Sequence, residues 1–437
     1  MFNTRKVLGL LLWVWALVGR PAAAQPAPLT LTSSYELAEQ NAPLRRRLAL
    51  NNAQTANIQS RLSTQRRLPQ LSVNGQASYQ SEVTQVPIEA PGITAVAKDQ
   101  YRLTLDAVQT LYEGGTTRRQ LELEAASNQV NNQQVAVGLY QLREQVNGLF
   151  FGVLLTDENL RLRQALRTDL RTRHQALTAR RANGTATGQD LARLDAEVVN
   201  LDQQLRELAV SRAGLLSQLA QLLGQPLTAD TRLEAPTALP PATPRPEYQL
   251  YDFQRAQLAS QRQLNDARLA PRLSLYGQAG YGRPGLNLLR NDFHGYSQGG
   301  VRLTWALNNY YTRRQDREAI HLGSEAVAVQ QAQFEQQQRV ALAGQQAEMA
   351  RYETLLETDR QLIPLREKIQ ATAAVQLDHG IIGFSDYFTE ANLLTQARLR
   401  EQLHRLQLLQ AQVAAQTTAG APVPQPTPVP NPLPCQP

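Results

Sequence analysis

The chain has 437 residues, 42% hydrophobic, 6% aromatic and 19% charged, with 44 Lys and Arg against 37 Asp and Glu. Its single cysteine, Cys435, excludes an intrachain disulfide and a cysteine-based zinc site. After Val18 there is no run of about 18 apolar residues, the densest patch being Leu149 to Leu155, so a membrane role would require β-strands rather than a spanning α-helix.

The chain opens with Arg5 and Lys6, an apolar stretch from Val7 to Val18, then Gly19-Arg20-Pro21 and Ala22-Ala23-Ala24. This is the three-part layout of a secretory signal, residues 1–24, cleaved before Gln25. The residue directly after the cleavage site is Gln25 rather than cysteine, which argues against an N-terminal lipid anchor. Removing Arg5, Lys6 and Arg20 lowers the formal charge from +7 to +4. The remaining arginines are interleaved with Glu, Asp and Gln, so no nucleic-acid partner is expected.

A long-period internal repeat organises the rest. Pro69-Gln70-Leu71-Ser72-Val73 to Tyr79 returns as Pro271-Arg272-Leu273-Ser274-Leu275 to Tyr281, at an offset of 202. Thr117-Arg118-Arg119-Gln120 returns as Thr312-Arg313-Arg314-Gln315 at 195, and a Gly-x5-Asp turn, Gly184 to Asp190, returns as Gly380 to Asp386 at 196. The layout is a first repeat over 25–235, a linker over 236–246 with five prolines in eleven residues, a second repeat over 247–417 and a disordered proline-rich tail over 418–437.

In chain order, a helix is predicted from about Ser34 to Arg67, broken in its first turns by Pro43. Strict period-two alternation of Leu71, Val73, Gly75, Ala77 and Tyr79 with polar residues predicts a strand over about 70–82, with a partner over about 100–110. From Thr116 to Ala182 no proline intervenes, giving a helix of 67 residues, roughly 100 Å long at 1.5 Å per residue. Val135, Leu139, Leu142, Val146, Leu149 and Val153 form a coiled-coil seam on it, and Leu191, Leu194, Val198, Leu201, Leu205 and Leu208 form another beyond Gly184. The second half predicts strands over about 271–282 and 296–307, a helix from Thr312 to Asp378 kinked at Pro364, and a last helix from about Ser385 to Thr417. Trp305, Tyr101, Tyr296 and Tyr281 are candidates for an interfacial aromatic belt.

A hairpin with one lipid-compatible face cannot sit alone in hydrocarbon, because each unpaired edge group would cost several kcal/mol. Four strands are too few to close a barrel with an interior, whereas three chains would supply about twelve. The fold class expected is therefore mainly α with a small β part. Each repeat would give a β-hairpin and long coiled-coil helices, the hairpins of several chains pooled into a transmembrane β-barrel and the helices packed seam to seam as a hollow cylinder.

Several short motifs support the same layout. Leu31-Thr32, Glu36-Leu37-Ala38 and Asn41-Ala42-Pro43 come first, then Leu68-Pro69-Gln70-Leu71 and Leu111-Tyr112-Glu113-Gly114-Gly115, and last Gly184-x5-Asp190-Leu191 with Asp195-Ala196-Glu197. Over about residues 29–417 this pattern resembles the TolC-type outer membrane efflux factors. The resemblance implies a homotrimeric channel in the cell outer membrane with a large periplasmic part, a trimeric transmembrane β-barrel continued by a periplasmic α-helical barrel, working with a periplasmic adaptor (membrane fusion protein) and an inner-membrane transporter in efflux or type I secretion.

The glycine turns carry the candidate site: Gly184 and Gly380 permit the reversal of the long helices, and Asp190 and Asp386 open the returning ones. Three copies of Asp386 about a threefold axis would form a carboxylate ring that repels anions, and the resemblance implies a constriction there. Glu390, after Thr389, could shift that ring. Leu377 and Ile382 stand where the best-known members carry a tyrosine and an arginine that link neighbouring turns.

No cofactor, metal or enzymatic role is expected. The five histidines include no pair at ligand spacing, and neither a nucleophile elbow nor a phosphate loop is present. The rival readings are a periplasmic coiled-coil adaptor or scaffold, which has no need of two one-face-apolar hairpins, and an envelope hydrolase, which lacks a catalytic set.

Overall fold

A computed structural model describes residues 28–83, 97–183, 187–287 and 291–420. The expected signal segment, Pro87 and Pro91-Gly92 of the first hairpin loop, Gly184 and the tail from residue 421 lie outside the described residues.

The elements are α1 (Leu31–Asn41), a single 3-10 turn (Pro43–Arg45), α2 (Arg46–Arg67), β1 (Gln70–Tyr79), β2 (Asp99–Tyr112), α3 (Thr116–Ala182) and α4 (Gly188–Leu223). They continue with α5 (Pro246–Ala267), β3 (Arg272–Arg283), β4 (His294–Thr304), α6 (Asn309–Asp378) and α7 (Phe384–Ala419). Helix, hairpin, long helix and 36-residue helix thus occur in that order twice.

Local chemistry sets the ends. Helix α1 begins three residues before the expected Ser34, because the Thr30 hydroxyl accepts the Ser33 N–H at 3.2 Å and the Ser33 hydroxyl accepts the Thr30 N–H at 3.2 Å. Pro246, expected as linker, is the first residue of α5, a position where its missing N–H costs nothing. Strand β1 stops at Tyr79 rather than near 82, and β4 stops at Thr304 because backbone turns from Trp305 to Asn309 lead into α6. Helix α6 runs through Pro364 without interruption, and α7 continues to Ala419, into what was expected to be tail.

The two hairpins are one sheet. Strands β2 and β3 pair antiparallel, so the four strands follow the order β1-β2-β3-β4 and leave β1 and β4 as edges. A bulge between Thr110 and Tyr112 shifts the β2–β3 register, which resumes with Tyr112 opposite Leu273. Beyond it Gly114 adopts φ +65°, and a Cβ there would lie 2.2 Å from the Ala270 Cβ, so only glycine fits this turn.

The chain gathers into two compact units that cut across the sequence halves. One takes the segment up to Ala42, Gln141–Thr243 and the segment from Ala341; the other takes Pro43–Tyr140 and Pro244–Val340. Each half gives its hairpin to one unit and its helix turn to the other, and the two hairpins meet in the one sheet. The first unit has two apolar cores. Leu31, Tyr35, Val146, Phe150, Phe151, Leu219, Leu223 and Val413 form one. Leu170, Leu177, Leu194, Leu201, Leu377, Phe384 and Tyr387 form the other, which contains both buried members of the α4 seam.

Candidate functional site: a two-faced sheet and paired helix turns

In the second unit the register sorts the side chains of all four strands. Asp106 lies opposite Ser72 and Gln278, and Gln278 lies opposite Gln298, so these share one face. Asn74 Nδ2 donates to Asp106 Oδ2 at 2.7 Å, Gln278 Nε2 to Asp106 Oδ1 at 2.5 Å, and Gln298 Nε2 to Gln278 Oε1 at 2.6 Å. This polar ladder crosses the whole sheet. The opposite face carries Leu71, Val73, Leu103, Leu105, Leu275, Val301 and Leu303, each between 48% and 68% exposed. A contiguous apolar surface of this kind marks contact with a membrane or a partner.

Aromatic residues bound that face at both ends. Phe293 stacks on Tyr281 with ring centroids 5.9 Å apart and lies 6.2 Å from Tyr101; at the other end Trp305 meets Tyr310 edge-on at 6.4 Å. Tyr296, expected in the belt, is instead on the polar face opposite Gly280, where its ring occupies the space a Cβ would need. The apolar stretch of β3 spans about nine residues, ~30 Å along the strand and ~23 Å in height at a 40° tilt, which matches a barrel's lipid band. Among the described residues, no helix is long and apolar enough to cross a membrane.

In the first unit, the two helix returns differ in their caps. Thr187 caps α4: its Oγ1 accepts the Asp190 N–H at 3.2 Å and donates to Asp190 Oδ2 at 2.5 Å. Helix α7 has Gly383 at its N-cap and hence no side-chain cap, and Asp386 lies in its first turn. Both aspartates are therefore first-turn carboxylates favoured by the helix dipole rather than N-caps. They converge on one point, since a Cβ on Gly383 would lie 3.8 Å from Asp386 Oδ2 and 3.9 Å from Asp190 Oδ1. Gly380, at φ +72°, closes α6: its N–H donates to the Leu377 carbonyl at 3.0 Å and the Ile381 N–H to the Gln376 carbonyl at 2.8 Å.

Glu390 does not join the aspartates, because Arg366 of the same chain holds it at 3.3 Å. Asp386 and Glu390 border, with Lys368, Thr372 and Gln376, a cleft of about 530 Å³. Gly184 is outside the described residues.

A polar cluster not foreseen from sequence ties α3 to α6 and α7. The fully buried Tyr387 donates to Asp169 Oδ2 at 2.7 Å and accepts from Gln370 Nε2 at 3.1 Å. The Arg173 guanidinium lies 4.0 Å from its ring centroid and 3.6 Å from both Asp169 and Asp378. Arg180 donates to the Leu377 carbonyl. Burial, then the Asp169 carboxylate, push the Tyr387 phenol up from 10.0 to about 12. The only sequence signal was Asp169 and Arg173 at helical spacing; Leu377 and Ile382 are packed into the apolar core.

No known protein family matches the chain, and no curated protein matches it. Solved structures do. The outer membrane protein VceC of Vibrio cholerae has 14% identity and a TM-score of 0.62, covering 89% of this chain and 96% of its own. The outer-membrane channel OprN has 17% identity and a TM-score of 0.64, covering 90% of each chain. The open-state MtrE outer membrane channel of Neisseria gonorrhoeae has 18% identity and a TM-score of 0.60, covering 89% of this chain and 88% of its own. The chain has the fold of these outer membrane channels.

Proposed function

We propose that this protein is the outer membrane channel of a tripartite efflux or type I secretion system, a passive trimeric duct whose energy is supplied by partners. The observation that carries the reading is the apolar face that runs unbroken across four in-register strands whose two edges are unpaired. Edges exposed in hydrocarbon would cost several kcal/mol per group, so three copies would pair β4 of one with β1 of the next and close about twelve strands around the polar ladder. Helices α2 and α6, which flank those edges in sequence, support this. Helix α2 buries no residue, and Leu322, Val329 and Val340 of α6 stay at least 55% exposed, as surfaces awaiting a neighbouring copy would be.

The repeat of 25–235 in 247–417, after a signal at 1–24, belongs to the same reading, as do the periplasmic adaptor and inner-membrane transporter as partners. Gly184 and Gly380 would reverse the helices at the periplasmic end, and Asp386, the less engaged of the two aspartates, would form the constricting ring. Negative-stain imaging of the detergent-extracted protein tests the duct. Threefold top views with side views longer than about 100 Å support it; monomers soluble without detergent would sink it and favour the adaptor or scaffold. Channel recordings test the ring separately: Asp386→Ala should raise conductance and reduce cation preference, and unchanged recordings would remove the gate alone.

A further inference from the structure

Past the aromatic rim at the α6 end of the sheet lies a cleft of about 990 Å³ between α5 and α6, remote in sequence from the helix turns. Tyr310, Arg313, Arg314, Arg317 and His321 share one face of α6 by their helical spacing, and they oppose Arg255, Arg262 and Asp266 of α5. The lining holds five arginines against two carboxylates, Asp266 and Glu318. Asp266 holds Arg317 at 2.9 Å and Arg313 at 3.8 Å, and Asp252 holds Arg255 at 2.6 Å. Arg262 and Arg314 are exposed and make no ion pair with any described residue.

The first half of the chain shows what this arrangement departs from. There the matching Arg118 and Arg119 are both held by Glu122, at 3.1 and 2.6 Å. At the repeat offset of 195 the position of Glu122 is taken by Arg317, so the second half adds a positive charge where the first neutralises two. The cleft also has a defined side. Trp305 Nε1 and the Tyr310 hydroxyl both donate to the Leu269 carbonyl, at 3.0 and 3.3 Å, which puts Tyr310 on the side of Trp305 and of the apolar sheet face.

The geometry points to a site for the phosphate of an anionic phospholipid headgroup in the periplasmic leaflet, an assignment that rests on the barrel reading above. Guanidinium pairs match phosphate oxygens bidentately, and Tyr and Trp settle at headgroup depth. Leu258 and Ile320 in the lining offer apolar surface to the glycerol and upper acyl carbons. Basic pockets at a membrane surface select anionic lipid for these reasons.

The test is native mass spectrometry of the full chain in non-ionic detergent, titrated with phosphatidylglycerol or phosphatidylcholine. Phosphatidylglycerol should be retained about tenfold more tightly, and the double variant Arg262→Gln/Arg314→Gln should lose about tenfold of that affinity without a change in melting or in phosphatidylcholine binding. Equal retention of the two lipids, or an unaffected double variant, overturns the site. Displacement of phosphatidylglycerol by inorganic phosphate at equal concentration would assign a soluble anion instead and overturn the lipid source. The same spectra report assembly. A trimer without lipid preference fails only this inference, whereas a monomer that needs no detergent fails the barrel reading.

Discussion

The two compact units use the same apolar residue types in opposite ways. In the unit built around α1, α4 and α7, Phe150, Phe151, Leu219 and Leu223 are fully buried between helices. In the sheet unit Leu71, Val73, Leu103 and Leu303 are more than half exposed on one face, while Asp106 and its amide partners gather on the other. Water explains the first arrangement, since burial removes apolar surface from it. It does not explain the second, and on the barrel reading proposed above a second apolar phase covers that outer face.

The largest effect that could break this comparison is a cavity in the water-facing unit. Phe150→Ala should cost about 3–5 kcal/mol in denaturant unfolding, and a cost below about 1 kcal/mol would mean that the cluster is not a packed core. On the sheet, the barrel reading predicts that Leu103→Arg costs about 2–4 kcal/mol as a charge placed in lipid and lowers the yield of folded protein in liposomes. Gln76→Arg, on the polar face, should leave that yield unchanged. Equal yields for the two would abolish the distinction between the faces.

Smaller effects sharpen the account of the helix turns. Because the Tyr387 phenol is raised to about 12 when folded, the folded state keeps a proton that the unfolded chain loses near 10.0. Its stabilising contribution is complete below pH ~10 and declines as pH rises toward about 12. Tyr387→Phe should remove that alkaline slope and cost about 1–2 kcal/mol at neutral pH; a melting curve with the same alkaline slope would show that another group titrates. Thr187→Ala should cost about 1 kcal/mol, and Gly383→Ser should gain a few tenths, since one turn has a side-chain cap and the other lacks it. Matching melting shifts at the two turns would erase that asymmetry.

Much of this was legible in the chain itself. Period-two alternation from Leu71 to Tyr79 and the absence of proline from Thr116 to Ala182 each follow from local geometry, and β1 and α3 begin within a residue of where those patterns begin. The glycine and carboxylate of the second return, Gly380 and Asp386, were visible because positive φ and a helix dipole each prefer one residue type. Only the tertiary structure joined β2 to β3, moved Tyr296 off the aromatic belt, gave Glu390 to Arg366 and brought Asp169, Arg173 and Tyr387 together. The physical reason is range: dihedral preference and periodicity act within a few residues, whereas a strand's second neighbour or a buried phenol's acceptor is chosen by packing between segments some 170 to 220 residues apart.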